Sequence, residues 1–534
     1  MQIALVVVLG GDLVRSTEHV GIGLLAACLR SSGHTVTVVE VSKTEVDNGV
    51  HKELEDGNFD MMGFTTSCIN MEDVLKVSDR VKSSSQKTHI VLGGHMATFW
   101  GEKILKEYLQ VDSIIYGEGE ATIVELAESL TRGGDLSEIK SLIYRNIEGT
   151  VIKNEVRPLM PDLDQLPNPD RDQFELHNHS FQYLRISSSR GCLGRCGFCS
   201  SFVGRCQPGA AWRGRSPKLV VDEIEGLVKK YNFHTFDFVD SAFEDPGRVG
   251  RQRIGTIAQE ILDRNLEIFY NCCFRAENWD DTKENRDLLD ILIRSGLEKV
   301  NIGFESGNQR GLTILNKRAS IEDNHRTLKL FADFPDIYIT FGFIMLHPYS
   351  TKEDLQDNAD FLFGTGIGQV IRHYFWQLEV YPGTLMETML IRDKLLTTDY
   401  SISDGMYKYR FVNPEMERFA KLFRKYLTIQ SVWDFEIFDI LIHTFITRLR
   451  RKYKGTDTFK EIMVFSDYVY KIRAQMAEFN YKFYCRLLRD EITDHDAEMN
   501  KLDCFIKTKM DEIKTQQYKL GMGMIRQKLT LMER

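Results

Sequence analysis

The chain lacks any long apolar run. Its first apolar stretch, residues 3–9, falls far short of the roughly 20 residues that a membrane-spanning helix needs, and no charged leader precedes it, so neither a membrane anchor nor a signal or transit peptide is expected. Positive charge is in deficit. Against 77 Asp and Glu there are 68 Lys and Arg, a formal net charge of -9, which argues against bulk attraction to nucleic acid or to an anionic membrane. Proline is scarce, with 11 in 534 residues. Ten cysteines in a chain of this length make no disulfide framework, because Cys28, Cys68, Cys206, Cys272, Cys273, Cys485 and Cys504 are scattered. A reducing compartment, the cytoplasm, is the expected setting.

The three remaining cysteines are not scattered. Residues 187–199 read SSSRGCLGRCGFC and place Cys192, Cys196 and Cys199 in a C-x3-C-x2-C spacing just after a strand-like run, 181–186. A loop leaving a strand end can turn three thiolates toward one point, and soft thiolates suit iron–sulfur clusters, zinc or copper(I). The number three is informative. A closed structural zinc site takes four ligands, whereas a cubane held by three cysteines keeps one iron open for another molecule. A zinc site completed by a His or by Cys206 is the alternative.

That spacing, with an aromatic just before the third cysteine, resembles the signature of the radical S-adenosylmethionine (radical SAM) enzymes. The resemblance implies a 4Fe-4S cluster on Cys192, Cys196 and Cys199, SAM chelating the open iron, and cleavage of SAM to a 5′-deoxyadenosyl radical. It also implies Phe198 near the adenine and an electron donor such as flavodoxin or ferredoxin.

From the N-terminus, strand-like runs at 2–9, 35–41, 61–65, 89–92 and 113–116 alternate with helical patterns at 21–32, 71–83 and 121–130. This predicts a doubly wound parallel sheet whose ligands bind beyond the carboxyl ends of its strands. The loops at those ends, 65–68, 93–97 and 117–120, are small or polar and let a large ligand approach the backbone. GLLAACLRSSGHTV, IVLGGHMAT and YGEGEATIVEL together resemble the cobalamin (B12)-binding domain that precedes the barrel in one class of radical SAM enzymes, methyltransferases among them. The resemblance implies cobalamin contacts from Thr66, Ser67, Gly93, Gly94, His95, Gly117, Glu118 and Gly119. The D-x-H-x-x-G motif that supplies a lower axial histidine in methionine synthase-like proteins is absent, so cobalt without that histidine is expected. His95 could substitute, but a histidine after two glycines reads as a loop hydrogen-bonding residue.

Four of the prolines crowd into 158–174, a segment expected to be an extended linker without regular helix. Beyond it, 216–231 reads as a capped helix with Pro217 in its first turn. Strands are expected at 235–239, 267–275, 299–304, 337–346 and 370–380. With 181–186 these make six parallel strands, a partial (β/α)6 barrel with polar groups at one mouth. FVDSAF and GFESG resemble the second- and fourth-strand SAM-contact segments of the family, which implies that Asp240, Ser241 and Glu305 touch SAM, with Arg275 as a third-strand arginine. A helix N-cap is the plainer role for Asp240. His347 and Tyr349 replace small residues usual in a later turn of relatives and point to a more polar active-site wall. Alternation sends only one of Cys272 and Cys273 inward.

From about Trp433 the pattern is helical, with Phe465, Tyr468, Val469, Ile472, Met476, Phe479, Phe483 and Leu487 forming one apolar stripe. Arg448, Arg450, Arg451, Lys452 and Lys454 form a basic run, either a solvated helix end or a site for a phosphate-bearing substrate. The organisation expected is an α/β chain: a Rossmann-like domain at 1–145, a linker at 146–180, the barrel at 181–430 and a helical region at 431–534. The function expected is a cobalamin-dependent radical SAM enzyme that methylates an unactivated carbon of a small-molecule substrate. A dehydratase, epimerase or ring-rearranging enzyme of the same family is one alternative, and a non-catalytic cobalamin or iron–sulfur protein is another.

Overall fold

The computed structural model describes residues 1–10, 18–49, 51–177, 181–200, 207–397, 402 and 406–532. The chain forms two compact units. The first comprises Met1–Cys273, Arg294–Gly296 and Glu379–Lys408, and the second Phe274–Ile293, Leu297–Leu378 and Tyr409–Arg534.

The first unit begins with the strands β1 (Gln2–Val8), β2 (Thr35–Val41), β3 (Met61–Thr66), β4 (His89–Gly94), β5 (Ser113–Ile115), β6 (Leu142–Arg145) and β7 (Val151–Lys153). They lie in the order β2-β1-β3-β4-β5-β6-β7. The five strands expected from the sequence pair in parallel, with Ile3 beside Val36 and Met61, Met61 beside His89, and Val91 beside Ser113. Ile3, Ala4, Leu5, Val6, Val7 and Val8 are all buried, as in a parallel strand covered on both faces. The order reverses between β1 and β3, which opens a crevice at their carboxyl ends.

The sheet also runs past the boundary expected at 145. β6 pairs antiparallel with β5, and β7 with β6. The turn joining β6 to β7 is closed by Asn146, whose side-chain oxygen accepts from the N–H groups of Glu148 and Thr150. Strands of three or four residues are too short to show alternation. A second difference concerns 93–97. Instead of a loop, His95 opens the helix His95–Glu107, with Gly94 before it at φ 94°.

The proline-rich segment is mostly extended, but it holds a 3-10 turn at Leu163–Gln165 and a short helix at Asp172–Leu176. That helix, not expected before residue 175, forms because the last proline ring, Pro169, already lies behind it. Nor is the segment slack. The Arg30 guanidinium donates to Asp170 and Asp172 at 2.5–2.9 Å, and Arg171, 6% exposed, donates to Glu18 and Glu223 at 2.6 Å each.

After this segment come β8 (Leu184–Ile186), β9 (Ser189–Gly191), β10 (Trp212–Gly214), β11 (Thr235–Phe238) and β12 (Phe269–Arg275). β8, β11 and β12 are parallel neighbours, and β9 and β10 form a separate antiparallel ribbon. The helices Pro217–Tyr231 and Gly247–Asp263 bury Val220, Val221, Ile224, Ile254, Ile257 and Ile261. Ser216 does not cap the first of these with its side chain; its N–H donates to Asp164 Oδ1 at 2.8 Å.

In the second unit, β13 (Leu297–Glu305) and β14 (Tyr338–Phe343) run parallel. The strand expected at 370–380 is absent. Ile371–Tyr374 is a 3-10 turn, and only a single bridge, Leu346 to Gln377, continues the parallel pattern within this unit. Five regular parallel strands therefore replace six among the described residues of the barrel region. His373, Tyr374 and Phe375 are all buried in and just after that turn. Tyr374 packs on Tyr484, and Phe375 stacks on Tyr426.

The C-terminal part is helical as expected, with Gln430–Lys452, Asp457–Leu488 and His495–Met532, and a further helix, Glu415–Tyr426, lies before the boundary expected at 431. Phe465, Val469, Ile472, Met476, Phe483 and Leu487 of the expected stripe are buried. No helix among the described residues is long and apolar enough to cross a membrane.

Candidate active site

A cavity of about 370 Å³ lies at the carboxyl ends of the parallel strands β1, β3, β4 and β5. Of the expected cobalamin contacts, Gly93, Gly94, Gly117, Glu118 and Gly119 line it, and Thr66, Ser67 and His95 do not. Thr66, 2% exposed, spends its hydroxyl on the fold. It donates to Gly93 O at 2.7 Å and accepts the Ala97 N–H at 3.0 Å, fixing the start of the helix His95–Glu107. Ser67 is held by Asn70, whose side-chain oxygen accepts its N–H at 2.7 Å while the amide nitrogen donates to Val8 O and Thr65 O. Gly94 is forced by its surroundings, since a Cβ would lie 2.6 Å from Thr66 O. At Gly93 an added Cβ would meet only Ile115 O, at 4.0 Å, so this glycine leaves the crevice open. His19 and Arg185 also line the cavity and escaped the sequence reading. His19 follows a segment with no periodic signal, and Arg185 sits on a three-residue strand.

Glu118 is less a free ligand than a hub. It pairs with Arg213 at 2.8 Å and Arg190 at 3.1 Å and accepts the Met160 N–H at 3.2 Å, while Glu120 pairs with Arg190 at 2.6 Å. Burial pushes its carboxyl up, but the Arg213 hydrogen bonds and the charges of Arg190 and Arg213 hold it below the usual range. Arg190 lies on β9 and Arg213 on β10, so the cavity rim is tied to the ribbon that leads into the cysteine loop.

Cys192, Cys196 and Cys199 follow β9 and are all half-buried. Gly191 must be glycine. At φ 88° its added Cβ would lie 1.9 Å from Ala211 O on the approach to β10. Three backbone N–H donors shape the loop: Leu193 N–H donates to the Asp245 carboxylate at 2.9 Å, Met386 N–H to Gly197 O at 2.8 Å, and Cys199 N–H to Cys196 O at 3.3 Å. The Gly194 N–H points at Cys192 Sγ from 3.2 Å, the kind of donor a cluster thiolate accepts. Among the described residues no three His, Cys, Asp or Glu close on a single ion; a cubane asks for less, because its three thiolates take three different irons. Phe198 is half-buried in the same loop. Cys206 lies outside the described residues.

Asp240 does not cap a helix. Its carboxylate, 2% exposed, accepts the Ser188 N–H at 2.9 Å, the Ser188 hydroxyl at 2.5 Å and the Ser189 N–H. It clamps the turn between β8 and β9, and burial raises its pKa. Ser241 is exposed at the strand end. Of the adjacent cysteines, Cys272 is buried and its thiol pushed up by desolvation, while Cys273 is half-buried.

In the second unit, Glu305 ends β13 at φ 67°, after a register shift between Gly303 and Glu305. Two glycines make room for its carboxylate. An added Cβ on Gly303 would lie 2.6 Å from Glu305 Oε1, and one on Gly342 would lie 3.0 Å away. A non-glycine residue held in the left-handed region costs on the order of 1–3 kcal/mol, so the surrounding fold keeps this carboxylate where relaxed geometry would not. Desolvation raises its pKa, opposed by Lys317. Arg275 pairs with Glu277 at 3.4 Å and donates to Asn278 at 3.3 Å. His347 is not an active-site wall. It is 2% exposed, its Nδ1 accepts the Tyr349 N–H at 3.3 Å, and burial lowers its pKa to about 3. Three cations of the basic run are engaged within their own unit. Arg448 pairs with the fully buried Glu298 at 2.6 Å, Arg450 with Asp336 at 3.4 Å, and Arg451 donates to Leu297 O at 2.6 Å. Those three cations fasten the helix Gln430–Lys452 to its own unit, while Lys452 and Lys454 are exposed at its end.

Three thiols on a strand-end loop and a glycine-rimmed crevice over a parallel sheet define an α/β enzyme built for a cluster and a large cofactor. Residues 6–127 match the family model of the B12 binding domain, and residues 186–362 match that of the Radical SAM superfamily. The chain belongs to the radical SAM enzymes that carry an N-terminal cobalamin-binding domain. Its cofactors are accordingly a 4Fe-4S cluster, SAM and cobalamin, in place of the zinc alternative.

Among similar proteins, an uncharacterized methyltransferase of Pyrococcus horikoshii is 26% identical over 417 residues, covering 76% of this chain and 86% of that protein. The anaerobic magnesium-protoporphyrin IX monomethyl ester cyclase of Rubrivivax gelatinosus is 27% identical over 337 residues, 61% of this chain and 58% of that one. The hopanoid C-3 methylase of Methylococcus capsulatus is 25% identical over 324 residues, 58% of each. The match thus spans little more than half of the cyclase and of the methylase. Two solved structures share the fold. The cobalamin-dependent SAM radical enzyme OxsB, with aqua-cobalamin and SAM bound, has a TM-score of 0.68 at 19% identity, covering 96% of this chain and 83% of that one. The radical SAM methyltransferase TsrM of Kitasatospora setae, with cobalamin and a [4Fe-4S] cluster bound, has a TM-score of 0.59 at 16% identity, covering 77% and 87%.

Proposed function

We propose that this enzyme is a C-methyltransferase acting on an unactivated carbon of a small-molecule substrate. The observation that carries the reading is the cavity and the cysteine loop in one compact unit, joined through Glu118, Arg190 and Arg213. Relatives described as a methyltransferase and a methylase support it.

The donor set fits the cofactors. Cys192, Cys196 and Cys199 would hold the cluster, with the Gly194 N–H aimed at the first sulfur. The 370 Å³ cavity would take one lobe of cobalamin, because an apolar floor of Leu5, Gly63 and Val91 lies under a rim of Gly93, Gly94 and Gly117. When bound, the cluster and SAM supply the radical and cobalamin supplies the methyl group. The chain's own residues bind and orient. Glu305 would hold the SAM ammonium, and Arg275 the SAM carboxylate through whatever guanidinium edge Glu277 and Asn278 leave. Asp240 keeps the cysteine loop in place. An electron donor such as flavodoxin or ferredoxin would serve the cluster.

Glu305 makes this reading testable by pH. Burial raises its pKa, so the neutral carboxyl stabilises the ligand-free fold at low pH, and that contribution is lost as pH rises through the folded pKa. SAM's ammonium wants the ionised form. SAM affinity is therefore expected to rise with pH across the Glu305 titration. Glu305→Gln should bind SAM about 10-fold or more weaker, the equivalent of about 1.5–3 kcal/mol for a lost charge-assisted hydrogen bond, and should flatten that dependence. Equilibrium binding across pH checks both, and an unchanged affinity in a folded variant removes Glu305 from the site.

A second expectation concerns His95, which opens a helix and does not line the cavity. Paramagnetic resonance of the cobalt(II) holoenzyme should be identical in wild type and His95→Ala, with no histidine nitrogen splitting lost. The methyl-transfer reading itself is tested by isotope-labelled SAM methyl appearing in product. The cyclase relative favours a second reading, radical chemistry without methyl transfer, and product free of label would select it.

A further inference from the structure

β8, β11 and β12 have two faces of opposite character. Register places Leu184, Phe236 and Tyr270 side by side, then Arg185, Asp237 and Asn271. Alternation puts these rows on opposite faces. Leu184, Phe236 and Tyr270, with Ile186, Phe238 and Cys272 of the same face, are buried among apolar neighbours. The other face carries a guanidinium, a carboxylate and an amide in one line across three adjacent strands. The line closes as it goes. Arg185 and Asp237 are 30% and 34% exposed, whereas Asn271 is 2% exposed.

Asn271 is the anomaly. Neither its Oδ1 nor its Nδ2 has a hydrogen-bond partner among the described residues. Burying an amide without partners is costly, and such groups in native proteins call for a ligand, a water or a functional reason. Among the described residues nothing uses either atom, so their packing does not require this residue to be polar. The opposite end of the line opens on the cofactor cavity, which Arg185 helps to line.

We propose that the Arg185, Asp237 and Asn271 row is a substrate subsite that reads an uncharged amide-type group, one presenting a donor and an acceptor side by side as a carboxamide or lactam does. Asn271 offers the complementary pair, one N–H and one C=O in a plane. Arg185 and Asp237, 3.9 Å apart, offset each other's charge, so the row has no net charge to draw an anion or a cation. The subsite deepens the methyl-transfer reading by naming what the substrate carries, and it rests on that reading only for the word substrate.

The test uses the full chain with its cluster and cobalamin reconstituted anaerobically, and 2-pyrrolidinone as a cyclic-amide probe beside butyrate and cyclopentane at equal concentration. Unfolding is followed by calorimetry in wild type, Asn271→Leu and Asn271→Asp. The amide alone should raise the wild-type Tm and should raise neither variant's. Without probe, Asn271→Leu should melt at or above wild type, because it removes a buried amide that nothing satisfies. A Tm loss of several degrees in Asn271→Leu without probe, or equal stabilisation of wild type by all three probes, would overturn the subsite and leave a buried water as its occupant. Labelled methyl transfer is scored separately. Transfer without amide binding rejects the subsite, and amide binding without transfer rejects the methyl-transfer reading.

Discussion

Replacing Cys192, Cys196 and Cys199 together by Ala should remove the cluster's visible absorption and all SAM cleavage while leaving cobalamin bound. Thiolates are the only cluster ligands the loop offers, so activity should fall by orders of magnitude to background. Cobalamin should stay because its cavity is lined by residues between Leu5 and Arg185 that include none of the three cysteines. The rim is braced by Glu118 with Arg190 and Arg213, which alanine at the three loop positions does not touch. Iron and cobalt content with the corrin spectrum of the purified variant measure this. Loss of corrin together with iron would show that the loop's fold depends on its cluster.

Arg171→Met should cost the first unit about 3–5 kcal/mol, the penalty for leaving buried charges without their partner. The side chains of Arg171, Glu18 and Glu223 are only 3–4% exposed. Methionine fills the volume but abandons two carboxylates. Adding Glu18→Gln and Glu223→Gln should recover much of the loss, because the amides keep shape and shed the stranded charge. Denaturant unfolding of wild type and the two variants checks the order, wild type above the triple variant above Arg171→Met. An Arg171→Met variant as stable as wild type would mean that the proline-rich segment is the loose linker its composition suggests.

That segment shows where sequence reasoning stops. Four prolines correctly exclude a long helix, but no local pattern announces that Arg171 finds Glu18 and Glu223 far away in the chain. Long-range ion pairs carry no periodicity. The five parallel strands of the first sheet were legible because burial on both faces forces runs such as 3–9 to be apolar throughout. The three-residue strands β7, β9 and β10 were not, and neither was the 3-10 turn at 371–374, whose residues are apolar and aromatic enough to read as a strand. The cysteine triplet was legible because ligand spacing is local. The glycine pocket around Glu305 was not, since Gly303 and Gly342 lie on different strands. Thr66 shows the converse error: it looked available at a strand end, yet its hydroxyl is spent on Gly93 and Ala97.

The central claim, one chain using SAM with both a cluster and cobalamin for methyl transfer, can be tested without knowing the substrate. The reconstituted holoenzyme is reduced under anaerobic conditions with a low-potential donor and given SAM labelled in its methyl group. S-adenosylhomocysteine and label in the corrin fraction, in equal amounts and near one per cobalt, are expected. Release of 5′-deoxyadenosine with no S-adenosylhomocysteine and an unlabelled corrin would contradict it.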